Sequence, residues 1–203
     1  MEYWLLVPLA YLAGSVPWGL LIVHLKSHVD VRDYGSGRIG VTNVLRTAGK
    51  GPAIVVLLAD AGKGIAVVLI ARLITETSAI HALAGGAVVV GHIWPVLAGF
   101  RGGRGIATGG AAAVVLEPAA ALIGILVFTC IAGSTRYVSL GSILATFAVM
   151  ASFAGAFVLD AIPFPYLLFG LISGSLIVAM HQGNISRLLK GTEPRLGDQS
   201  RRR

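Results

Sequence analysis

The sequence predicts an all-α polytopic membrane protein of about seven transmembrane helices, with the N-terminus outside and the C-terminus cytoplasmic. Three observations predict it. The 203 residues are 56% hydrophobic and only 12% charged, where a soluble domain carries about 25% charged residues. The apolar residues fall into runs close to the ~20 residues that cross a bilayer core. The charges lie between those runs and are shared unequally between alternate connections. The same numbers exclude a disordered chain. A formal charge of +7 would suggest nucleic acid in a soluble protein. Here it sets topology and meets anionic headgroups or anionic substrates, so no nucleic-acid partner is expected.

The spans read in order as about 3–25, 52–74, 78–99, 103–116, 118–134, 138–159 and 162–181. The first begins at Tyr3 with no basic residue before it, so it reads as a span and not as a cleavable signal peptide. Residues 105–133 form one apolar stretch, too long for one helix and short for two. Glu117-Pro118 divides it, because proline ends a helix and a mid-bilayer carboxylate is costly. Five or six spans is the alternative count. Cys130 lies within an apolar run and reads as a small buried hydrophobe. The whole chain, 1–203, reads as one integral-membrane domain.

Charge sets the sides. Lys26, Arg32, Arg38, Arg46, Lys50, Arg101, Arg104, Arg136, Arg187, Lys190, Arg195 and the terminal Arg201-Arg202-Arg203 make 14 of the 16 Lys+Arg, all in one set of connections. The other set holds Glu2, Glu76, Glu117 and Asp160, with Arg72 near one end. The positive-inside rule places the first set in the cytoplasm.

Three clusters on that side carry polar chemistry. The first is Gly35-Ser36-Gly37-Arg38-Ile39-Gly40, followed by Thr42, Asn43 and Arg46. It fits a dinucleotide-binding pattern, with Asp60 placed 20 residues after Gly40. That pattern needs a preceding strand, and here a membrane helix precedes it. The physics survives: glycines let backbone N–H groups approach an anion, and arginine offers a fork suited to phosphate. A positive-inside connector is the plain alternative. The second cluster is His92-Ile93-Trp94-Pro95, then Arg101-Gly102-Gly103-Arg104-Gly105 and Thr108. A single RGG occurrence between spans does not read as an RNA-binding repeat. Two arginines on a glycine turn that opens a helix make a second anion site. His92 reads equally as a structural hydrogen-bond partner or a functional group. The third is His181-Gln182-Gly183-Asn184-Ile185-Ser186-Arg187, where His181, Asn184 and Arg187 share a helix face. A fragment Arg136-Tyr137-Val138-Ser139-Leu140 lies on the same side. Inside the second span, Asp60 and Lys63 are spaced to pair; intramembrane charges are functional by default, and a structural ion pair is the alternative.

Together these clusters resemble one family, the bacterial acylphosphate-dependent glycerol-3-phosphate acyltransferases of the PlsY type. The resemblance rests on four motifs in order: Gly35-Ser36-Gly37 with Gly40, Thr42, Asn43 and Arg46; His92 and Pro95 with Arg101-Gly102-Gly103-Arg104-Gly105, Ala107 and Thr108; Tyr137-Val138-Ser139-Leu140; and His181, Asn184-Ile185 and Arg187-Leu188 with Gly191 and Glu193. It runs from about residue 10 to 197. Arg101 and Arg104 stand where the family usually has lysine, Arg38 where it has asparagine, Val41 where it has alanine, and Gln182 where a basic residue is common. Because arginine stays protonated, a proton-donating role at the second motif does not suit this chain, whereas an electrostatic one does.

The resemblance implies acyl transfer from acyl phosphate to the 1-hydroxyl of glycerol 3-phosphate, giving lysophosphatidate and phosphate in the bacterial inner membrane. It implies catalytic roles for Ser36, Arg104, His181 and Asn184. Gly37, Thr42, Asn43, Arg46, Lys63, Arg101, Gly102, Gly103, Ser139 and Arg187 are expected to bind substrate. Neither metal nor cofactor is implied, and membrane lipids and neighbouring lipid-synthesis enzymes are candidate partners. Two phosphates of about −2 each, ~6 Å apart, repel by roughly 11 kcal/mol at an effective dielectric of ~20. Three basic glycine loops on one face are suited to hold both. The proton of the attacking hydroxyl has two candidate acceptors, His181 and the substrate's own phosphate. A transporter would instead place its polar residues near the bilayer midplane, and a membrane anchor would not need Ser36, Thr42, Asn43, His181 and Asn184 beside the cations.

Overall fold

The computed structural model describes residues 2–198, and these form ten α-helices joined by short turns. The run Arg201-Arg202-Arg203, expected on the positive side, lies outside the described residues. The first apolar stretch is divided. A 3-10 turn at Glu2–Leu5 leads into α1 (Leu6–Gly14), and residues 15–17 separate it from α2 (Trp18–Ser27). Pro17 lacks the N–H that would continue α1. Tyr3–Ser27 as a whole is still long and apolar enough to cross a membrane. The short polar α3 (Val41–Ala48) then leads into α4 (Lys50–Ile74) and α5 (Ser78–Ile93). Further on come α6 (Ile106–Leu116), α7 (Pro118–Thr135), α8 (Val138–Val158), α9 (Phe164–Ala179) and α10 (Gln182–Leu189).

Among the described residues, five helical stretches meet the length and apolarity of a membrane crossing, or six if α9 and α10, bent by 56°, count as one. This is fewer than the seven expected. The expected span 103–116 is realised as α6, whose 11 residues reach only about 16 Å. The expected span 162–181 is α9, whose 16 residues reach about 24 Å. The break at Glu117-Pro118 falls as the sequence indicates: α6 ends at Leu116, and Pro118 opens α7. Cys130 is exposed on α7 and is not the buried hydrophobe expected.

Small residues set the helix crossings. A side chain at Gly14 would come 2.3 Å from the Val88 carbonyl oxygen, and one at Gly91 would come 2.2 Å from that of Tyr11. So α1 and α5 pack backbone to backbone, as membrane helices do where glycine permits. α4 crosses α6 in the same way, and Thr108 Oγ1 donates to the Asp60 carbonyl at 3.0 Å. At one end, His81 Nε2–H donates to the Thr75 carbonyl at 2.7 Å and its Nδ1 accepts from Tyr166 Oη at 2.8 Å. Arg72 there donates to the Val115 carbonyl at 2.6 Å. The loops carrying the other cations meet at the opposite end.

The intramembrane pair is structural. Lys63 Nζ lies 3.0 Å from Asp60 Oδ1 and donates to the carbonyls of Gly14 at 2.9 Å and Val16 at 3.1 Å. Those carbonyls sit at the break between α1 and α2. In a membrane, backbone groups freed by a broken helix must be satisfied internally. Lys63, expected to bind substrate, is thus engaged by Asp60 and two carbonyls within the protein and holds the broken first span to α4.

Candidate active site

The first loop is built around Asn43. Its Nδ2 lies 2.9 Å from the Val31 carbonyl, 3.0 Å from that of Tyr34 and 2.9 Å from that of Arg38, and its Oδ1 accepts from the Ser36 amide at 3.0 Å. The side chain is 3% exposed. Asn43 is therefore the clasp that shapes the loop, and its amide hydrogens are not available to a substrate. Gly35 and Gly37 take φ of +53° and +68°, a conformation open to glycine at little cost. Gly37 thus turns the chain, and the Ser36 hydroxyl is left buried with no hydrogen-bond partner. Thr42 lies in the first turn of α3, where helical N–H groups lack intrahelical partners. Arg32 fastens this loop to the second one, gripping Asp30 at 2.6 Å and donating to the Ala98 carbonyl at 3.0 Å.

The second loop lies flat against the end of α5. A side chain at Gly102 would come 2.2 Å from the His92 carbonyl oxygen, and one at Gly103 would come 2.0 Å from His92 Nε2. Close packing alone therefore requires both glycines. The two arginines part company. Arg101 is exposed and lies near Asp30, away from the cluster. Arg104 points among Arg38, Arg46, Arg187 and Glu193. Burial, then the neighbouring Arg38, lowers its pKa to about 10, so it remains a cation at neutral pH.

The third loop begins where α9 ends. His181 is 2% exposed, and its Nδ1–H donates to the Ile177 carbonyl at 2.8 Å. Burial, with Arg104 adding to it, lowers the His181 pKa to about 4. The ring is neutral near pH 7, and Nε2 carries a lone pair. Asn184 Nδ2 donates to Glu193 Oε1 at 2.6 Å, and Arg187 Nε donates to Glu193 Oε2 at 2.7 Å. This fixes the Asn184 amide with Oδ1 buried and unbonded. Burial alone would raise the Glu193 pKa, but Ser139, Asn184 and Arg187 around the carboxylate outweigh it and hold it below the usual range. Ser139 Oγ stands beside that carboxylate outside hydrogen-bond geometry.

The C-terminal segment straps these parts together. Arg46 donates to the Pro194 carbonyl at 3.1 Å. The Leu196 amide donates to the Arg136 carbonyl at 2.7 Å, and the Arg136 guanidinium donates back to the Leu196 carbonyl at 2.7 Å. The Arg195 guanidinium lies 5.2 Å from the centre of the Tyr137 ring.

Of the expected site residues, the structure brings together Arg46, Arg104, Ser139, His181, Asn184 and Arg187, with Ser36 on the first loop two residues before Arg38. It sets Lys63 and Arg101 apart, and assigns Asn43, Gly102 and Gly103 to shaping the loops. Glu193 and Arg38 belong to the cluster although neither was expected as a site residue. The signal for Glu193 was present: a lone carboxylate inside a basic stretch that can only be buried with partners. Around Arg104, four guanidiniums (Arg38, Arg46, Arg104 and Arg187) against the one Glu193 carboxylate leave a net charge of +3. Among the described residues, the Ser36 hydroxyl on the first loop and the Asn184 carbonyl on the third are buried without a hydrogen-bond partner.

An apolar body with several helices long enough to cross a membrane and a polycationic cluster at one end defines the class: a multi-pass membrane protein with a cluster suited to anions. A sequence model of the glycerol-3-phosphate acyltransferase family matches residues 4–191. Glycerol-3-phosphate acyltransferase 3 of Dehalococcoides mccartyi is 41% identical over 209 residues, covering 97% of both chains. The Rubrobacter xylanophilus glycerol-3-phosphate acyltransferase is 42% identical over 196 residues, covering 97% of this chain and 96% of its own. The crystal structure of PlsY, an integral membrane glycerol 3-phosphate acyltransferase in its glycerol 3-phosphate form, superposes with a TM-score of 0.88 at 40% identity, over 97% of this chain and 96% of that one. Its lysophosphatidic acid form gives a TM-score of 0.87 at 39% identity. The chain belongs to the glycerol-3-phosphate acyltransferase family.

Proposed function

We propose that this chain transfers a fatty acyl group from acyl phosphate to the 1-hydroxyl of sn-glycerol 3-phosphate, releasing lysophosphatidate and phosphate. One observation carries the reading: three basic loops meet at one end of an apolar bundle, with a net charge of +3 around Arg104, and among the described residues the Ser36 hydroxyl and the Asn184 carbonyl are buried there without a hydrogen-bond partner. Such groups are costly unless a ligand completes them. The glycerol 3-phosphate and lysophosphatidic acid forms of PlsY support the same acceptor and product here.

The roles follow from hydrogen-bond polarity. Arg104, with Ser36 of the first loop, holds the donor phosphate, and Arg46 and Arg187 balance the acceptor phosphate. His181 Nε2 and Asn184 Oδ1 are acceptors, so they take hydrogen bonds from the hydroxyls of the glycerol and not from a phosphate. Glu193 fixes that polarity by engaging the Asn184 amide nitrogen. The 1-hydroxyl oxygen attacks the acyl carbon, and the carbon–oxygen bond to the phosphate breaks. The departing phosphate carries away the electron pair beside Arg104. An imidazole of pKa about 4 is a weak base, so the hydroxyl proton passes to a substrate phosphate oxygen while His181 orients the nucleophile.

The chain then lies in the bacterial inner membrane with this end cytoplasmic and the N-terminus outside. α6 and α9 complete seven crossings, and the acyl tail lies among the helices. Thin-layer chromatography of purified protein tests the reaction. Lysophosphatidate formed from acyl phosphate and glycerol 3-phosphate, without coenzyme A or carrier protein, is the expected result. Accumulation of unchanged glycerol 3-phosphate inside vesicles would instead identify a transporter.

A further inference from the structure

The segment that follows α10 runs antiparallel to the turn between α7 and α8. The Leu196 amide donates to the Arg136 carbonyl at 2.7 Å, and the Arg136 guanidinium returns a bond to the Leu196 carbonyl at 2.7 Å. One residue closer to the site, the Arg195 guanidinium covers the Tyr137 ring, 5.2 Å from its centre, and Arg195 Nε donates to Tyr137 Oη at 3.3 Å. Two residues further in, the Glu193 carboxylate stands beside Ser139. Each step back along the C-terminal segment is met by a step forward from the turn, so residues 193–196 and 136–139 share one register. The Pro194 carbonyl, within that segment, accepts from Arg46 at 3.1 Å. Arg136, Arg195 and Leu196 are exposed, whereas Glu193 is 7% exposed. The anchor therefore lies at the surface, and the group it carries lies inside the cationic cluster.

We propose that Arg136 is a positioning residue for the acceptor substrate: paired with the Leu196 backbone, it fixes the register of residues 193–196 and hence the depth of the Glu193 carboxylate. This rests on Asn184 Oδ1 facing the glycerol hydroxyls. Pro194 has no N–H, and the Arg195 amide is turned to Asp198 Oδ2 at 2.7 Å. Of residues 194–196, only Leu196 sends a backbone donor to the turn. At the other end of the segment, Glu193 accepts from Asn184 Nδ2 at 2.6 Å and from Arg187 Nε at 2.7 Å. Extended chain advances ~3.3 Å per residue and alternates its faces. A slip of one residue would carry the carboxylate out of reach of both partners and turn it away from the cluster. The Asn184 amide would then lose the bond that aims its carbonyl, and a misaimed positioning group costs rate and affinity.

The test uses full-length protein in lipid, with KM measured separately for glycerol 3-phosphate and acyl phosphate. Arg136 sits at φ +63°, which glycine adopts at little cost, so Arg136→Gly removes the guanidinium and leaves the turn intact. It is expected to raise the glycerol 3-phosphate KM about 10-fold, with the acyl-phosphate KM within about 2-fold of the parent. Arg136→Lys keeps a donor and is expected to lie closer to the parent than Arg136→Gly. Leu196→Pro deletes the amide donor and is expected to give the same selective defect. Leu196→Ala keeps that amide, trims a side chain already 39% exposed, and is expected to match the parent. In an Asn184→Ala background, Arg136→Gly is expected to add no more than about 2-fold, because its effect acts through Asn184. Should Leu196→Pro fail to fold, Arg136→Gly decides by the same two KM values. Parent-like kinetics in Arg136→Gly, equal effects on both substrates, or a loss that multiplies fully with that of Asn184→Ala would overturn the proposal. If Asn184→Ala itself keeps the parent's glycerol 3-phosphate KM, the reading of Asn184 fails first and the proposal falls with it.

Discussion

Replacing His181 by glutamine separates a base from a hydrogen-bond acceptor. Because Nδ1–H is engaged by Ile177 at 2.8 Å, the working atom is Nε2. Glutamine reaches a similar position with a carbonyl oxygen that accepts but does not take a proton. The His181 pKa, about 4 because of burial and then Arg104, fixes where its titration would show. At pH 6 only about one ring in a hundred is protonated, and at pH 5 about one in ten. In the free protein, protonation of His181 therefore falls below an acid limb near pH 6. A substrate phosphate, whose second pKa is ~6 by analogy with phosphoserine, titrates there. The assay is the initial rate of lysophosphatidate formation from pH 4.5 to 9 for parent, His181→Gln and His181→Ala. The parent is expected to lose activity as pH falls through about 6, with the same limb in His181→Gln. His181→Gln is expected within about 10-fold of the parent, and His181→Ala lower by about 10²-fold. A parent limb near pH 4 that vanishes in His181→Gln, with that variant as impaired as His181→Ala, would refute the reasoning and make His181 the base.

Arg104→Lys keeps the charge and is expected to retain measurable activity, whereas Arg104→Ala is expected to lose at least ~10²-fold in kcat/KM, the scale of one preorganised charge at a developing anion; Arg101→Ala, at an exposed site, is expected to stay close to the parent. Lys63→Met is expected to lower thermal stability by about 3–5 kcal/mol, since it leaves the buried Asp60 carboxylate without its cation; a variant as stable as the parent would refute the pair's part in holding the helices together. On a Cys130→Ala background, cysteines placed at Ser36 or Thr192 are expected to resist an impermeant thiol reagent added to intact cells, and strong labelling would place the site on the outer face.

The sequence made the site legible because polar and glycine residues between apolar runs have few reasons to be there. Ser36, Arg46, Arg104, His181 and Asn184 could be read as one face before any geometry was known. The division of labour could not. Asn43 read as a substrate-binding residue, yet three carbonyls within 3.0 Å make it a clasp. Arg101 and Arg104 differ only in which way a glycine turn points them, and that depends on contacts with His92 at the end of α5 and Pro95 just beyond it. Asp60 and Lys63 were legible as a pair from their spacing. The Gly14 and Val16 carbonyls that Lys63 satisfies are 49 and 47 residues away and leave no local trace. The break in the first span was hidden for the same reason: Pro17 inside an apolar run is tolerated only because a distant lysine satisfies the carbonyls beside it.

The most direct measurement follows the bridging oxygen of the acyl donor. Acyl phosphate labelled with heavy oxygen between carbon and phosphorus is supplied with glycerol 3-phosphate, and the products are weighed by mass spectrometry. Attack at the acyl carbon, with phosphate leaving beside Arg104, predicts one lysophosphatidate per inorganic phosphate, with all of the label in the phosphate. Label retained in a free fatty acid, or lysophosphatidate formed only when acyl-coenzyme A or acyl carrier protein is supplied, would contradict it.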